Sequence, residues 1–479
     1  MKGALFRMDT LIKALQQFLH INSQNLCDRR SLPMVRSAHG QARLKKLMVI
    51  TQGRPHSSNL ESTAMLERAL ILVEGIGDIS PLYVRAARRL GLHPLALSAG
   101  AARYNYLAEE GIRTICVDTD DLDALIHECS RLQTTYDIAG ITCAGDQFYA
   151  TVGKLCRHFD LPGPNPDSIE LCRDKYTQRQ LLAEAGIPIP AYRLAANTGE
   201  VEDAAAEIGL PVIVKPAAGS GSVGVRLCRT ADDVVEHTNY LLGGQHTWPS
   251  APRILVEEFA QGPLYGADIM GDQIIGIGIG DFGPPPHFVY REFTFPALLS
   301  DDEHERIVDV SLSCLRALGL GWGPTGIEFR WTKRGPVVIE VNPRLHGTPN
   351  PRLIQLAYGI DLITEHIKLV IGDEWDLRRR HSHTAAARIL VPDRDGTLDW
   401  IDGGSQAAGV PGVAEVKFYV ESKTPIVRKG DYRDAIGHVI ATSPSHAETE
   451  AVLQRAVGLI GWSVTPFPSC TETEQSADP

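Results

Sequence analysis

A predicted hairpin, "TGIEFRWTKRGPVVIEVNP", carries the side chains with the clearest chemistry. Its turn, "TKRGP" (332–336), lies between two alternating strands. With Arg334 as the centre, Glu328 falls directly opposite Glu340, and Asn342 shares a face with Glu340. Two carboxylates opposed on one face repel and destabilise the strand pair. A hard dication removes the conflict, because Mg²⁺ takes oxygen ligands from a few protein groups, phosphates and water. Glu328, Glu340 and Asn342 are therefore candidate metal ligands. The alternative is a solvated strand face whose acids find basic neighbours.

Two further stretches suit a phosphorylated ligand. In "PVIVKPAAGSGSVGV" (211–225) a buried strand holds Lys215 at its end, and Gly219, Gly221 and Gly224 follow with Ser220 and Ser222 between them. Glycines let the backbone approach phosphate oxygens, and successive N–H groups cradle them. The spacing is not that of a Walker loop, and an ordinary strand with a flexible turn is the alternative. In "ILVEEFAQG" (254–262) a strand ending in Glu257, followed by Glu258, Phe259 and Ala260, can offer backbone groups to an adenine edge. An amphipathic strand is the competing reading.

These side chains need elements to position them. The chain has 479 residues, which at roughly 150 per domain suggests about three domains. The net charge of −11 argues against a nucleic-acid partner, and no apolar run approaches the ~20 residues of a membrane helix. Nine cysteines without a CxxC pair read as reduced thiols in a cytosol. Residues 68–100 read as strand, turn, helix and strand, and "TICVD" and "IAGITCA" as further buried strands. Alternating strands and helices imply a parallel α/β sheet. Gly75-Ile-Gly77 is half of a dinucleotide fingerprint, so a tight strand-to-helix turn is the favoured reading over nicotinamide binding. This domain ends near Pro162–Pro166. One helix follows from Asp167 or Ser168 as cap to Gly186, with others at 200–209, from Thr230, and at 301–319. After Arg378–Arg380 short strands and turns form a separate module. Residues 1–67 read as a basic N-terminal extension and 469–479 as a disordered tail. His381-Ser-His383 has no further ligand at metal spacing and reads as surface.

Taken in order, Lys175 after Asp174, Lys215 with its Gly/Ser loop, Glu257, Glu328 and "EVNPR" (340–344) resemble the ATP-grasp superfamily. Over residues 68–470 the chain looks most like the L-amino acid ligase branch. The signs are "RDKYTQRQLLAEAGIPIPAY", "FPALLSDDEHERI", "LGLGWGPTGIEFR", "EVNPRLHGTPNP" and the C-terminal "GTLDWIDGGSQAAGVPGVAEVKFYVESKTPI". The resemblance implies a mixed α/β and α+β protein with an ATP-grasp fold. Its parts would be a Rossmann-like preATP-grasp domain (68–166), an ATP-grasp domain (167–378) with a lid near 211–262, and a C-terminal α+β module (379–468). It implies ATP and Mg²⁺ (or Mn²⁺) as cofactors. Lys175 and Lys215 would contact ATP phosphates, and Ser220, Gly221 and Ser222 would form a mobile loop over them. Glu257, the backbone at Glu258 and Ala260, and Phe259 would serve the adenine. Glu328, Glu340 and Asn342 would bind the metal, Arg344 would stabilise the tetrahedral intermediate, and Gly347 would meet substrate. The implied reaction joins a small-molecule carboxylate to an amine through an acylphosphate, in a cytoplasmic homodimer with no nucleic-acid or membrane partner.

Two positions depart from the pattern. The superfamily often has an acid for the ribose seven residues after the adenine-strand glutamate, where this chain has Leu264, with Asp268 nearby. The branch's Glu-x-Gly-His before "FPA" is here Tyr290-Arg291-Glu292-Phe293. The departure implies an acid other than a standard α-amino acid, with Arg291 and Glu292 as candidates to meet it; a solvated Arg291 is the alternative. The rival readings are a biotin carboxylase-like enzyme, a purine-pathway ATP-grasp enzyme and a non-catalytic nucleotide-binding protein. "RLHGTPN" lacks the glutamate of the biotin carboxylase pattern, and no Met-Lys-Met attachment site is present.

Overall fold

The computed structural model describes residues 66–74, 79–245 and 251–468. The N-terminal extension up to residue 65, the Gly75-Ile-Gly77 turn and the tail from 469 lie outside the described residues. The described residues form one compact unit.

Four strands, β1 (Glu67–Val73), β2 (His93–Ser98), β3 (Arg113–Cys116) and β4 (Tyr136–Thr142), make a parallel sheet in the order β3-β2-β1-β4. Ala69 to Val73 are all buried, the unbroken apolar run of a strand covered on both faces. The expected helix to Gly186 is two helices, Pro166–Arg173 and Lys175–Glu184. Pro166 takes the first helical turn, so Asn165 caps the first helix rather than Asp167 or Ser168. Asp174 is extended and ends that helix, while its carboxylate accepts from the Thr177 amide at 2.8 Å and caps the second. The break places Lys175 in the first turn of the new helix, with its amide bonded to the Ala217 carbonyl at 2.8 Å.

A second sheet holds β5 (Tyr192–Ala195), β6 (Val212–Pro216), β7 (Arg226–Cys228) and β8 (Ile254–Glu258), antiparallel in the order β5-β8-β6-β7. Helices Thr198–Ile208 and Ala231–Tyr240 back it, the latter closed by a Thr230–Asp233 capping box. Because β5 pairs with β8, this unit takes in residues before 211.

The largest sheet contains β9 (Leu264–Met270), β10 (Gln273–Asp281), β11 (Glu292–Phe295), β12 (Pro324–Thr332), β13 (Gly335–Asn342) and β14 (Thr384–Leu390). After β15 (Gly396–Asp402) the chain adds β16 (Val413–Phe418), β17 (Pro425–Ile426), β18 (Gly437–Ser443) and β19 (Gly461–Thr465). The order is β13-β12-β9-β10-β11-β14-β18-β16, with β17-β15-β19 as a small separate sheet. The change of pattern at Arg378–Arg380 therefore does not interrupt the sheet: β14 pairs directly with β11, Arg388 against Glu292. Helix Asp301–Leu318 lays Ile307, Cys314, Leu315 and Leu318 on Ile327, Phe329, Val338 and Val341 beneath the hairpin.

His366, on helix Leu362–Val370, joins the first sheet's helices to this layer. Its Nδ1 lies 2.6 Å from the Tyr83 hydroxyl and its Nε2 3.2 Å from that of Tyr149. Burial pushes the imidazole down to about 3. A group lowered in the folded state contributes stability above its unfolded pKa and loses it as pH falls, here from ~6.5 downward. Urea denaturation is expected to show about 2 kcal/mol lost through this group between pH 7 and pH 5. That increment disappears in His366→Phe, whatever the variant's own stability at pH 7.

Candidate active site

The hairpin turn has two residues, Lys333 and Arg334, since Thr332 pairs with Gly335. That register alone would set Glu328 against Ile339. A bulge next to Glu328 leaves Ile339 as the extra residue and restores the pairing of Glu328 with Glu340. The opposed carboxylates are thus present, but a bulge rather than a turn centred on Arg334 produces them. The carbonyl of Ile339 accepts from Arg179 Nη2.

Burial and the Glu340 charge push Glu328 up. Burial also opposes the Glu340 charge, but Lys175, 2.8 Å from its Oε1, outweighs this and holds it below the ordinary range. The two acids titrate as a pair. Asn342 is buried on the same strand, paired with Gly326. Among the described residues no three His, Cys, Asp or Glu side chains converge as a metal cage. Two carboxylates and an amide oxygen fit a hard cation that completes its shell from phosphate and water.

Lys215 and Glu257 sit on adjacent strands β6 and β8. Glu257 is 2% exposed and accepts from Arg179 Nε at 2.7 Å, while Lys215 Nζ lies 2.5 Å from its other oxygen. Burial alone would raise Glu257, but Arg179 and Lys215 together lower it. Lys215 is pulled down by burial, with Glu257 opposing.

The glycine loop faces the same cleft. Gly219, Gly221 and Gly224 have φ of +135°, +65° and +72°, and Ser222 shares the left-handed region at +62°. Lys175 Nζ donates to the Gly219 carbonyl at 2.5 Å. A Cβ on Gly221 would come within 2.4 Å of the Tyr432 ring, and the Tyr432 amide donates to the Gly221 carbonyl at 3.3 Å. The loop thus rests on the C-terminal part of the chain. Lys175, Lys215, Ser220, Gly221, Ser222, Glu257, Glu258, Phe259, Ala260, Glu328 and Glu340 all line the cleft. Leu264, Phe282 and Phe288 give it an apolar end. The Glu258 amide is bonded to Ala191 O at 2.8 Å and its carboxylate to Arg334 at 2.9 Å, so that amide is not free to read adenine.

Arg344 Nη1 donates to Leu345 O at 3.0 Å, and its charge helps lower Glu340 and offsets part of the rise of Glu328. The space beside Gly347 is open. Arg291 and Glu292 are not brought to the cleft. Arg291 Nη1 reaches Val391 O at 3.5 Å, and Glu292 is tied to Arg388 on β14. Asp268 is not a cleft residue either: its Oδ1 pairs with His346 Nδ1 at 2.9 Å, and its buried Oδ2 has no hydrogen-bond partner. Burial would lower His346, but Asp268 and then Glu328 raise it. Its ring lies over Gly326, where a Cβ would fall 2.5 Å from Nε2. Arg179, the Asp268–His346 pair and Tyr432 carry no local motif. The one available signal was the four-residue spacing of Lys175 and Arg179, which sets both on one helix face.

A glycine loop and Lys215 from a small antiparallel sheet, with Lys175 from the neighbouring helix, face the paired carboxylates of a second sheet across one cleft. Comparison with known proteins agrees. Residues 174–378 match the family "Carbamoyl-phosphate synthase L chain, ATP binding domain", and residues 388–465 match "L-amino acid ligase C-terminal domain 2". The uncharacterized protein y4rH of Sinorhizobium fredii is 58% identical over 88% of each chain. Human carnosine synthase 1 is 27% identical over 82% of this chain, which spans 50% of that protein's length. The crystal structure of L-amino acid ligase from Bacillus licheniformis shares the fold with a TM-score of 0.70 at 20% identity, over 84% of this chain and 99% of that one. The chain belongs to the ATP-grasp carboxylate–amine ligases, ADP-forming enzymes that make C–N bonds.

Removing one member of a buried ion pair leaves an uncompensated charge. Arg179→Met is expected to lose about 3 kcal/mol in urea denaturation at pH 7. A loss below about 1 kcal/mol would contradict the role assigned to the Arg179–Glu257 contact.

Proposed function

We propose that this ligase uses Mg²⁺-ATP to phosphorylate a small-molecule carboxylate and passes the acyl group to an amine. The observation that carries the reading is the opposition of Glu328 and Glu340 across a bulge, with Lys175 bonded to one of them and to the glycine loop. Lys175 and Lys215 neutralise ATP phosphates, and the backbone of Ser220, Gly221 and Ser222 covers them. Phe259 and Ala260 bound the adenine end, with Glu257 fixing Lys215. Glu328, Glu340 and Asn342 would hold Mg²⁺, which would supply positive charge to the phosphate oxygens. Arg344 supplies positive charge to the acyl oxygen.

A carboxylate oxygen of the acid attacks the γ-phosphorus, and the bond to the ADP oxygen breaks. The amine nitrogen then attacks the acyl carbon and loses a proton, and the carbon–oxygen bond to phosphate breaks. No protein nucleophile takes part. The loop's contact with Tyr432 supports closure that keeps water from the acylphosphate. The product is a peptide or amide, and a cytoplasmic homodimer is the proposed setting. No helix among the described residues is long and apolar enough to cross a membrane.

ADP and phosphate release from purified protein, measured against carboxylic acids crossed with amines, tests the reading. Turnover that needs one acid and one amine supports it. Glu340→Gln is expected to lower kcat at least about 100-fold with the fold intact by circular dichroism. AMP in place of ADP would rule the mechanism out, and tight ATP binding without turnover would favour a non-catalytic nucleotide-binding protein.

A further inference from the structure

A short turn from the C-terminal part of the chain reaches the glycine loop from outside the cleft. Residues 427–436 connect β17 to β18. Two buried carboxylates fold this connection onto itself. Asp434 accepts from the Lys429 amide at 2.6 Å and from the Gly430 amide at 2.9 Å. Asp431 accepts from the Arg433 amide at 3.0 Å and from the Arg433 guanidinium at 2.6 Å. A turn closed by its own side chains is ordered before it meets anything else. Between the two acids stands Tyr432, an aromatic residue 57% exposed.

Tyr432 rests on the glycine loop. Its amide donates to the Gly221 carbonyl at 3.3 Å, and a Cβ on Gly221 would fall 2.4 Å from its ring edge. Gly221 already has a left-handed φ of +65°, so the ring is a second reason for glycine there. The same turn is anchored two residues earlier. A Cβ on Gly430 would come within 2.6 Å of the His287 ring, on the connection between β10 and β11. That connection in turn holds the strand that follows the glycine loop, because Pro286 O accepts from the Leu227 amide at 2.8 Å. The loop is thus fixed at its middle by Tyr432 and beyond its exit by Pro286. Tyr432 belongs to the part of the chain that matches the ligase C-terminal domain, and Gly221 to the part that matches the ATP-binding domain.

We propose that Tyr432 is a positioning residue that latches the glycine loop over the phosphates, so that the C-terminal part of the chain sets how long nucleotide and acylphosphate stay enclosed. The proposal rests on the ligase reading for the acylphosphate, but not for the nucleotide. With the latch open, a water oxygen attacks the acyl carbon and the carbon–oxygen bond to phosphate breaks. The acid is regenerated and a proton passes to solvent. ATP is then consumed without a C–N bond.

The test uses the full chain as wild type, Tyr432→Ala and Tyr432→Phe. A fluorescent ADP is bound with Mg²⁺, chased with unlabelled ADP, and its release followed by stopped flow. Tyr432→Ala is expected to release it about tenfold faster or more, with an unchanged urea midpoint because the side chain is mostly exposed. Tyr432→Phe, which keeps ring and amide, stays within about twofold of the wild type. With an acid and amine that support turnover, the wild type is expected to form about one ADP per C–N bond, and Tyr432→Ala at least about twofold more. Equal release from wild type and Tyr432→Ala, or an unchanged ratio of ADP to product, would overturn the proposal. Ligase turnover with equal release rates would remove the latch and leave the ligase reading standing. Faster release from Tyr432→Ala, in a protein that joins no acid to any amine, would keep the latch and remove the ligase reading.

Discussion

A carboxylate sealed from water must be neutralised where it lies, and Glu257 imposes that condition on the nucleotide cleft. Its two oxygens are taken by Arg179 from the helix after Asp174 and by Lys215 from the neighbouring strand. Arg179 then reaches across to the carbonyl that the β13 bulge sets free. One buried charge therefore connects the small sheet, the helix and the hairpin. The same bulge brings Glu328 opposite Glu340. The rigidity of Lys215 and the alignment of the paired acids are consequences of one packing solution.

Charge decides what this arrangement can hold. Lys175, Lys215, Arg179 and Arg344 are positive, against Glu257 and a Glu328–Glu340 pair that resists holding two full negative charges. Positive charge gathers near the loop and negative charge at the hairpin. A polyphosphate would suit the first and a dication the second. Lys175 touches both regions, bonded to Glu340 and to the loop carbonyl of Gly219. It can exchange these protein contacts for phosphate oxygens without moving its helix.

Local pattern revealed the parts and missed how they join. The run "PVIV" is apolar enough to mark a buried strand, so Lys215 was legible as a rigidly held group. Alternation marked both hairpin strands, but not the bulge, because an extra residue looks like ordinary strand until its partner is known. The helix break at Asp174 was hidden because its flanks continue a helical pattern, and only the capping geometry ends it. Continuity of β14 with β11 was invisible for the same reason that Asp268–His346 was: both join residues far apart in sequence. Arg291 and Glu292 do not line the nucleotide cleft, and their sequence neighbours say nothing of the contacts with Val391 and Arg388.

The departure at residues 290–293 has a physical reading within this frame. Where the resembling ligases carry an acid, Tyr290 stands close enough for Asp268 and Glu328 to act on its hydroxyl, after the larger effect of burial. Its hydroxyl donates to Asn350 Oδ1 at 3.3 Å. A carboxylate there would add a negative group beside Glu328, which burial and the Glu340 charge already push up. Where those ligases carry histidine, Phe293 packs its ring beneath Gly266 and Gly278. The ring of His346 approaches the same glycine, Gly266, from the loop after Arg344. The polar function lost from β11 is thus partly replaced by a histidine from another segment, while the negative charge is not replaced at all.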